Sequence, residues 1–163
     1  MPDRVISDTS PLYYLHRLGA LDLLHHLYKQ IVIPQAVLEE LQAGARQGEV
    51  VPDIRQIDWI EVRSVHLPRI LGLVTDLGAG EAQVLALALE DEGSLAIVDD
   101  GLARRIARAQ NLRITGTAGV LLKAKQSGHL DEISPLLDKL DRLGFRLAED
   151  VRITILRLAG EIG

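Results

Sequence analysis

Two short apolar runs in this chain each stop at an acid. Val5-Ile6-Ser7 ends at Asp8, and Leu95-Ala96-Ile97-Val98 ends at the pair Asp99-Asp100. A brief apolar run closed by a turn or capping signal is what a strand buried on both faces looks like in sequence. Gln30-Ile31-Val32-Ile33 and Leu112-Arg113-Ile114-Thr115 fit the same description, and Trp59-Ile60-Glu61-Val62 alternates as an edge strand does. Helical spacing fills the intervals: Leu12 to Leu27, broken at Gly19 into two short helices; Pro34 to about Gln47; Glu81 to about Glu92; Leu102 to Gln110; and Gly116-Thr117 through Gln126. Two amphipathic helices near Asp131–Leu143 and Glu149–Ala159 close the chain. Residues 48–77 are the least regular part, with Pro68 interrupting the stretch after the alternating run. Strands that alternate with helices predict βαβ units. The expected class is therefore α/β, a three-layer α/β/α arrangement around a mainly parallel sheet of four to five strands.

Composition narrows the chemistry. The 163 residues fit a single domain, with the helices from about 130 to 160 packed on it. Hydrophobic residues make up 47% and aromatics only 3%, so the core must be built from Leu, Val, Ile and Ala. There is no cysteine, which excludes disulfides and zinc–thiolate sites and leaves oxygen or histidine as metal donors. The five histidines lack ligand spacing, so a zinc site is not expected. A net charge of −5 argues against nonspecific coating of nucleic acid, yet suits an acidic site whose charge is offset by bound cations. No apolar run approaches the roughly 18 residues of a membrane span, and no leader pattern is seen, so a cytoplasmic location is expected.

The acids can be weighed one at a time. In an open parallel sheet, ligands bind outside the carboxyl ends of the strands, where the strand order reverses. Asp8, Asp99 and Asp100 all end strands and so point toward such a crevice. Helix capping is an equally good explanation for Asp8 alone, but it accounts for only one member of Asp99-Asp100. At about 100° per residue, Val37, Leu38, Leu41 and Ala45 define an apolar face with Glu40 on its flank and Glu39 nearly opposite. Glu39 therefore reads as solvated surface. Glu40 can reach inward, although a glutamate at such a rim is more often a snorkelling surface residue. Glu81 shares the sector of Ala82, Leu85, Ala88 and Leu89; a favourable helix dipole explains its place along the axis but not its face. Asp76 and the acids of the last two helices read as solvated charge. Acids gathered this closely repel unless a cation holds them, which points to a divalent-metal site and thence to phosphate chemistry.

Other phosphate and acyl-transfer signatures are missing. There is no G-x-x-x-x-G-K-[ST], Gly78-x-Gly80 lacks a third glycine, Asp8-Thr9-Ser10 is not the D-x-D of an aspartyl phosphotransferase, and no G-x-S-x-G elbow occurs. A receiver-type signalling domain would place its acidic pair after the first strand, the reverse of the order here. What remains is a set of acids without a protein nucleophile, which suits metal-activated water.

Five segments, in this order, resemble a PIN domain of the VapC-like toxin type. They are Ile6-Ser7-Asp8-Thr9-Ser10-Pro11-Leu12, Ile33-Pro34-Gln35-Ala36-Val37-Leu38-Glu39-Glu40-Leu41, Leu77-Gly78-Ala79-Gly80-Glu81-Ala82, Val98-Asp99-Asp100 with Ala103-Arg104, and Gly116-Thr117-Ala118-Gly119-Val120-Leu121. The resemblance implies a metal-dependent endoribonuclease using Mg²⁺ or Mn²⁺, the toxin of a toxin–antitoxin pair. Asp8, Glu40, Glu81 and Asp99 or Asp100 would then be the catalytic acids. Asp8, Glu81 and the aspartate pair would hold metal, with Asp100 preferred over Asp99. Thr9 and Thr117 would be supporting hydroxyls. Arg104, Arg105 and Lys123, with Lys125, are candidates for gripping an RNA backbone. A small antitoxin blocking the acidic cleft and a homodimer are the expected partners. The apolar stripe Leu15, Leu18, Leu23 and Leu27 is available either for that dimer or for the core. The alternative is a non-catalytic PIN-fold module that binds nucleic acid or a protein partner.

Overall fold

The computed structural model describes residues 1–66 and 76–163; Pro68 lies outside the described residues. The elements in chain order are β1 (Arg4–Ser7), α1 (Thr9–Arg17), α2 (Asp22–Tyr28), β2 (Ile31–Pro34), α3 (Gln35–Arg46), a 3₁₀ turn (Ile54–Gln56) and β3 (Ile60–Arg63). They continue as α4 (Ala79–Glu90), β4 (Ser94–Ile97), α5 (Gly101–Ala109), β5 (Arg113–Thr115), α6 (Thr117–Gln126), α7 (Ser134–Arg142) and α8 (Glu149–Leu158).

The five strands form one sheet in the order β3-β2-β1-β4-β5, and every pairing is parallel. The inner strands β2 and β4 are buried at every position, while β3 sits at the edge where its alternating sequence belongs. Helices cover both faces, giving the three-layer α/β/α architecture expected from the alternation of strands and helices. A small cluster of Leu77, Ala82, Leu85, Ala86, Ala103 and Ala107 joins α4 to α5, with alanines permitting close approach. The larger cluster takes in the sheet and apolar residues of α1, α2, α6, α7 and α8.

The chain runs outward from β1 through β2 to β3, then returns to lay β4 on the other side of β1. The boundary between β1 and β4 is therefore the switch point at which crevices form. Backbone bonds carry the ladder past both strand ends: the Asp8 N–H donates to Ile97 O at 3.0 Å, and the Val98 N–H to Thr115 O at 2.9 Å. This ladder fixes the heights of Asp8 and Asp99 at the carboxyl edge.

Leu15, Leu18 and Leu23 are buried, and Leu27 packs against the same core, so this stripe is interior to the chain and offers no face for a second copy. Among the described residues, no helix is long and apolar enough to cross a membrane.

The C-terminal helices are tied down by one carboxylate. Glu161 accepts the N–H groups of Ile133 (2.8 Å) and Ser134 (3.0 Å), where α7 begins, and the Lys125 ammonium at 3.2 Å. Burial alone would push the Glu161 carboxyl up; the two N–H donors and Lys125 outweigh it and hold the group below its usual range. A lowered folded-state value means this stabilisation is fully present above the ordinary glutamate range and is lost as pH falls through the folded value. Glu161→Gln is expected to cost about 1–3 kcal/mol in urea unfolding at neutral pH and to flatten the acid limb of stability against pH.

Candidate metal centre

Asp8 holds the residue position just before α1, with extended backbone (φ −81°, ψ 173°), yet its side chain makes no capping bond. It is 3% exposed, and its Oδ1 is buried without a hydrogen-bond partner among the described residues. Capping therefore does not account for this side chain. Carboxylate oxygens of Asp8, Glu40 and Glu81 all lie within 4.8 Å of one another. β1 delivers the first, the middle of α3 the second and the opening turn of α4 the third.

Two local features allow the approach. Gly80 faces the cluster; a Cβ there would collide with Glu40 Oε1 and sit 2.9 Å from both Asp8 Oδ1 and Glu40 Oε2. Thr9, the first residue of α1, donates its hydroxyl to Glu40 at 3.3 and 3.4 Å from the two carboxylate oxygens, which turns Glu40 inward. Glu39, one residue earlier, is exposed and accepts a hydrogen bond from the Gln35 amide, as its helical angle required.

Burial and mutual charge set the state of these acids. Burial pushes the Asp8 carboxyl well above its ordinary range, and the charges of Glu81, Glu40 and Asp99 add to the rise, with the Thr9 N–H opposing. Burial also raises Glu40, and Glu81 adds to this, against the Thr9 hydroxyl and the Gly80 N–H. Three acids in mutual reach, one with an orphaned buried oxygen, are a poor arrangement for protein alone. They fit a hard divalent cation such as Mg²⁺ or Mn²⁺, which takes oxygen ligands and retains waters.

The aspartate pair divides in the opposite sense to the preference for Asp100. Asp100 is exposed and caps α5, its Oδ2 accepting the Ala103 N–H at 2.9 Å. Asp99 turns to the crevice, where Oδ1 accepts the Thr117 N–H at 2.8 Å and Oδ2 accepts the hydroxyls of Thr117 at 2.7 Å and Ser10 at 3.1 Å. Asp99 is not one of the three acids in mutual reach, although its charge acts on Asp8. A Cβ at Gly116 would lie 2.8 Å from Asp99 Oδ1, so this glycine too is a requirement of close packing.

The expected RNA-gripping cations are placed elsewhere. Arg104 turns inward, donating to Val98 O at 2.8 Å. The Lys123 ammonium lies 4.9 Å from the Tyr28 ring centroid, Lys125 is paired with Glu161, and Arg105 is exposed. None of the four lines the cleft above the acids. That cleft, of about 420 Å³, is bounded instead by Ser10, Tyr13, Tyr14 and Glu49 together with Asp8, Thr9, Glu40 and Glu81. Ser10 and the tyrosines are not singled out by the sequence reading; the available signal is their spacing, since Tyr13 and Tyr14 stand one helical turn beyond Thr9 and Ser10.

Residues 4–161 match a family model described as a PIN domain, and the chain belongs to that family. Comparison with curated proteins and with solved structures finds no match. A PIN-domain fold with a cluster of three acids suited to a divalent cation is consistent with nuclease chemistry.

Because Asp8 and Glu40 have raised folded-state values, each binds its proton more tightly in the folded, metal-free protein than in the unfolded chain. Their contribution to stability is therefore fully present below the ordinary carboxylate range and is lost as pH rises through those raised values. Asp8→Asn is expected to raise the metal-free melting temperature at neutral pH, by roughly 2–4 °C per kcal/mol of repulsion relieved. The same variant should lose most of the stabilisation that Mg²⁺ or Mn²⁺ gives the natural sequence. Differential scanning fluorimetry with chelator and with added cation reads both effects.

Proposed function

We propose that this protein is a Mg²⁺- or Mn²⁺-dependent endoribonuclease that hydrolyses RNA phosphodiester bonds. The single observation that carries the reading is the buried, unpartnered Asp8 Oδ1 within reach of Glu40 and Glu81. Asp8, Glu40 and Glu81 are the residues that would hold the cation. A divalent cation, when bound, supplies Lewis acidity: it lowers the pKa of water and neutralises charge on the phosphate and leaving oxygen. Thr9 keeps Glu40 turned toward the cleft. Asp99, braced by Thr117 and Ser10, stands close enough to act on Asp8 and is a further candidate for orienting water. Asp100 takes no part in this reading, because its carboxylate is engaged at a helix end.

The toxin role extends the same reading: a VapC-like cytoplasmic toxin, acting as a homodimer, with a small antitoxin that occupies the acidic cleft. Residues 1–163, including the helices from about 130 to 160, would act as one unit.

With Mg²⁺, the purified protein is expected to cleave RNA, with activity abolished by chelator and lost in Asp8→Asn. Asp99→Asn should reduce kcat by about 10–100-fold, the usual cost of removing a group that orients a metal site. Asp100→Ala should leave kcat near that of the natural sequence while costing about 1 kcal/mol of stability through the lost cap. RNA cleavage in chelator at an undiminished rate would overturn the proposal.

A further inference from the structure

We propose that Arg104 is the positioning residue of Asp99: its guanidinium clamps the end of β4 from behind, so that the Asp99 carboxylate stays turned into the cleft. Arg104 then acts on the site through another residue and not by gripping RNA. The kinetic consequences rest on the nuclease reading of the acidic cluster.

The three arginines of α5 are placed differently. Arg105 and Arg108 are exposed, whereas Arg104 is half-buried and donates Nη1 to Val98 O at 2.8 Å. Val98 follows the last residue of β4 and precedes Asp99. It is held on both sides: its N–H bonds Thr115 O on β5 at 2.9 Å, and its C=O accepts from Arg104 on α5. That C=O belongs to the planar peptide unit that leads into Asp99, so fixing it fixes the direction in which the Asp99 Cα leaves the strand. The direction is the one that lets the carboxylate meet the Thr117 N–H and the hydroxyls of Thr117 and Ser10.

Guanidinium, carboxylate and carbonyl converge on one glycine. A Cβ at Gly116 would lie 2.8 Å from Asp99 Oδ1, 3.1 Å from Arg104 Nη1 and 3.4 Å from Val98 O. Burial lowers the Arg104 guanidinium from its ordinary value and Arg108 adds to this, while the charge of Asp99 opposes them. Arg104 and Asp99 therefore attract each other across the turn between β5 and α6. The charges that act most on Asp8 and Glu40 are, by contrast, those of other acids. A plain structural bond to a strand end is the simpler account of Arg104, and it explains the partner but not the residue type. A neutral donor would satisfy Val98 O without taking a charge out of water. The carboxylate beside it is what gives a cation an advantage at this position. Because Asp99 in turn acts on Asp8, the clamp reaches the metal centre without Arg104 lining the cleft.

The test is a double-variant cycle on the full chain, with Arg104→Met and Asp99→Asn made singly and together. It is read by RNA cleavage with Mg²⁺ and by thermal melting in chelator. Positioning predicts that Arg104→Met lowers kcat roughly 10-fold while KM and the salt dependence of binding stay as they are. Added to Asp99→Asn, the same change should lower kcat by less than about twofold more, since the group it serves is already altered. Melting gives a readout independent of activity: Arg104→Met should lower Tm by roughly 2–8 °C less in the Asp99→Asn background than in the natural sequence. An intact kcat in Arg104→Met overturns the proposal, and a raised KM with a weaker salt dependence would make Arg104 an RNA grip instead. Equal fold-losses of kcat in the two backgrounds also overturn it, since they leave only a structural bond. Should the natural sequence cleave no RNA, the nuclease reading falls and the melting cycle decides alone: coupling between Arg104 and Asp99 sustains the clamp, and equal Tm losses remove it. Should Arg104→Met fail to fold, Arg104→Gln, which keeps a neutral donor for Val98 O, carries the same cycle.

Discussion

Mutual repulsion among Asp8, Glu40 and Glu81 is the constraint around which the rest of the structure is arranged. At separations up to 4.8 Å, each charged pair opposes folding by on the order of 3 kcal/mol at an effective dielectric of about 20, before solvent screening. The three side chains arrive on different elements, so their convergence is not a local accident that a loop could relieve. β1 is held between β2 and β4, α3 follows directly from β2, and α4 packs on α3 and α5. Burial of the apolar strands and the alanine-lined helix contacts supplies the stabilisation that offsets this repulsion. Gly80 is the point where the opposed demands meet, because any side chain there would occupy the space the acids share.

Asp99 and Glu161 show what a fully hydrogen-bonded carboxylate looks like in the same chain. Asp99 accepts three hydrogen bonds and Glu161 accepts bonds from two backbone N–H groups and a lysine. Each joins elements far apart in sequence, and each is satisfied without a cation. Asp8 is more buried than either and has an oxygen with nothing to bond. Beyond depth, the distinction lies in whether donors accompany the burial.

Much of this is readable from residue spacing. The alternation of apolar runs with helical segments foretells the parallel sheet, and 100° per residue separates Glu40 from Glu39 correctly. Other assignments depend on information that a local window does not contain. Asp99 and Asp100 differ because the N–H and hydroxyl of Thr117, eighteen residues on, reach only one of them. Arg104 has the exposed-cation look of any helix arginine, and only the strand end at Val98 reveals why it turns inward. Asp8 carries a capping signal in its sequence position, and only its unbonded side chain removes that explanation. Tyr13 and Tyr14 sit within an apolar helical pattern that reads as core, so the groove beside them is hidden from a sequence reading.

The opening turn of α1 joins the two sides of the switch point. Thr9 bonds Glu40, which arrives by way of β2 and α3; Ser10 bonds Asp99, which arrives by way of β4. Adjacent hydroxyls on one rigid turn thus set the distance between the three-acid cluster and the fourth carboxylate.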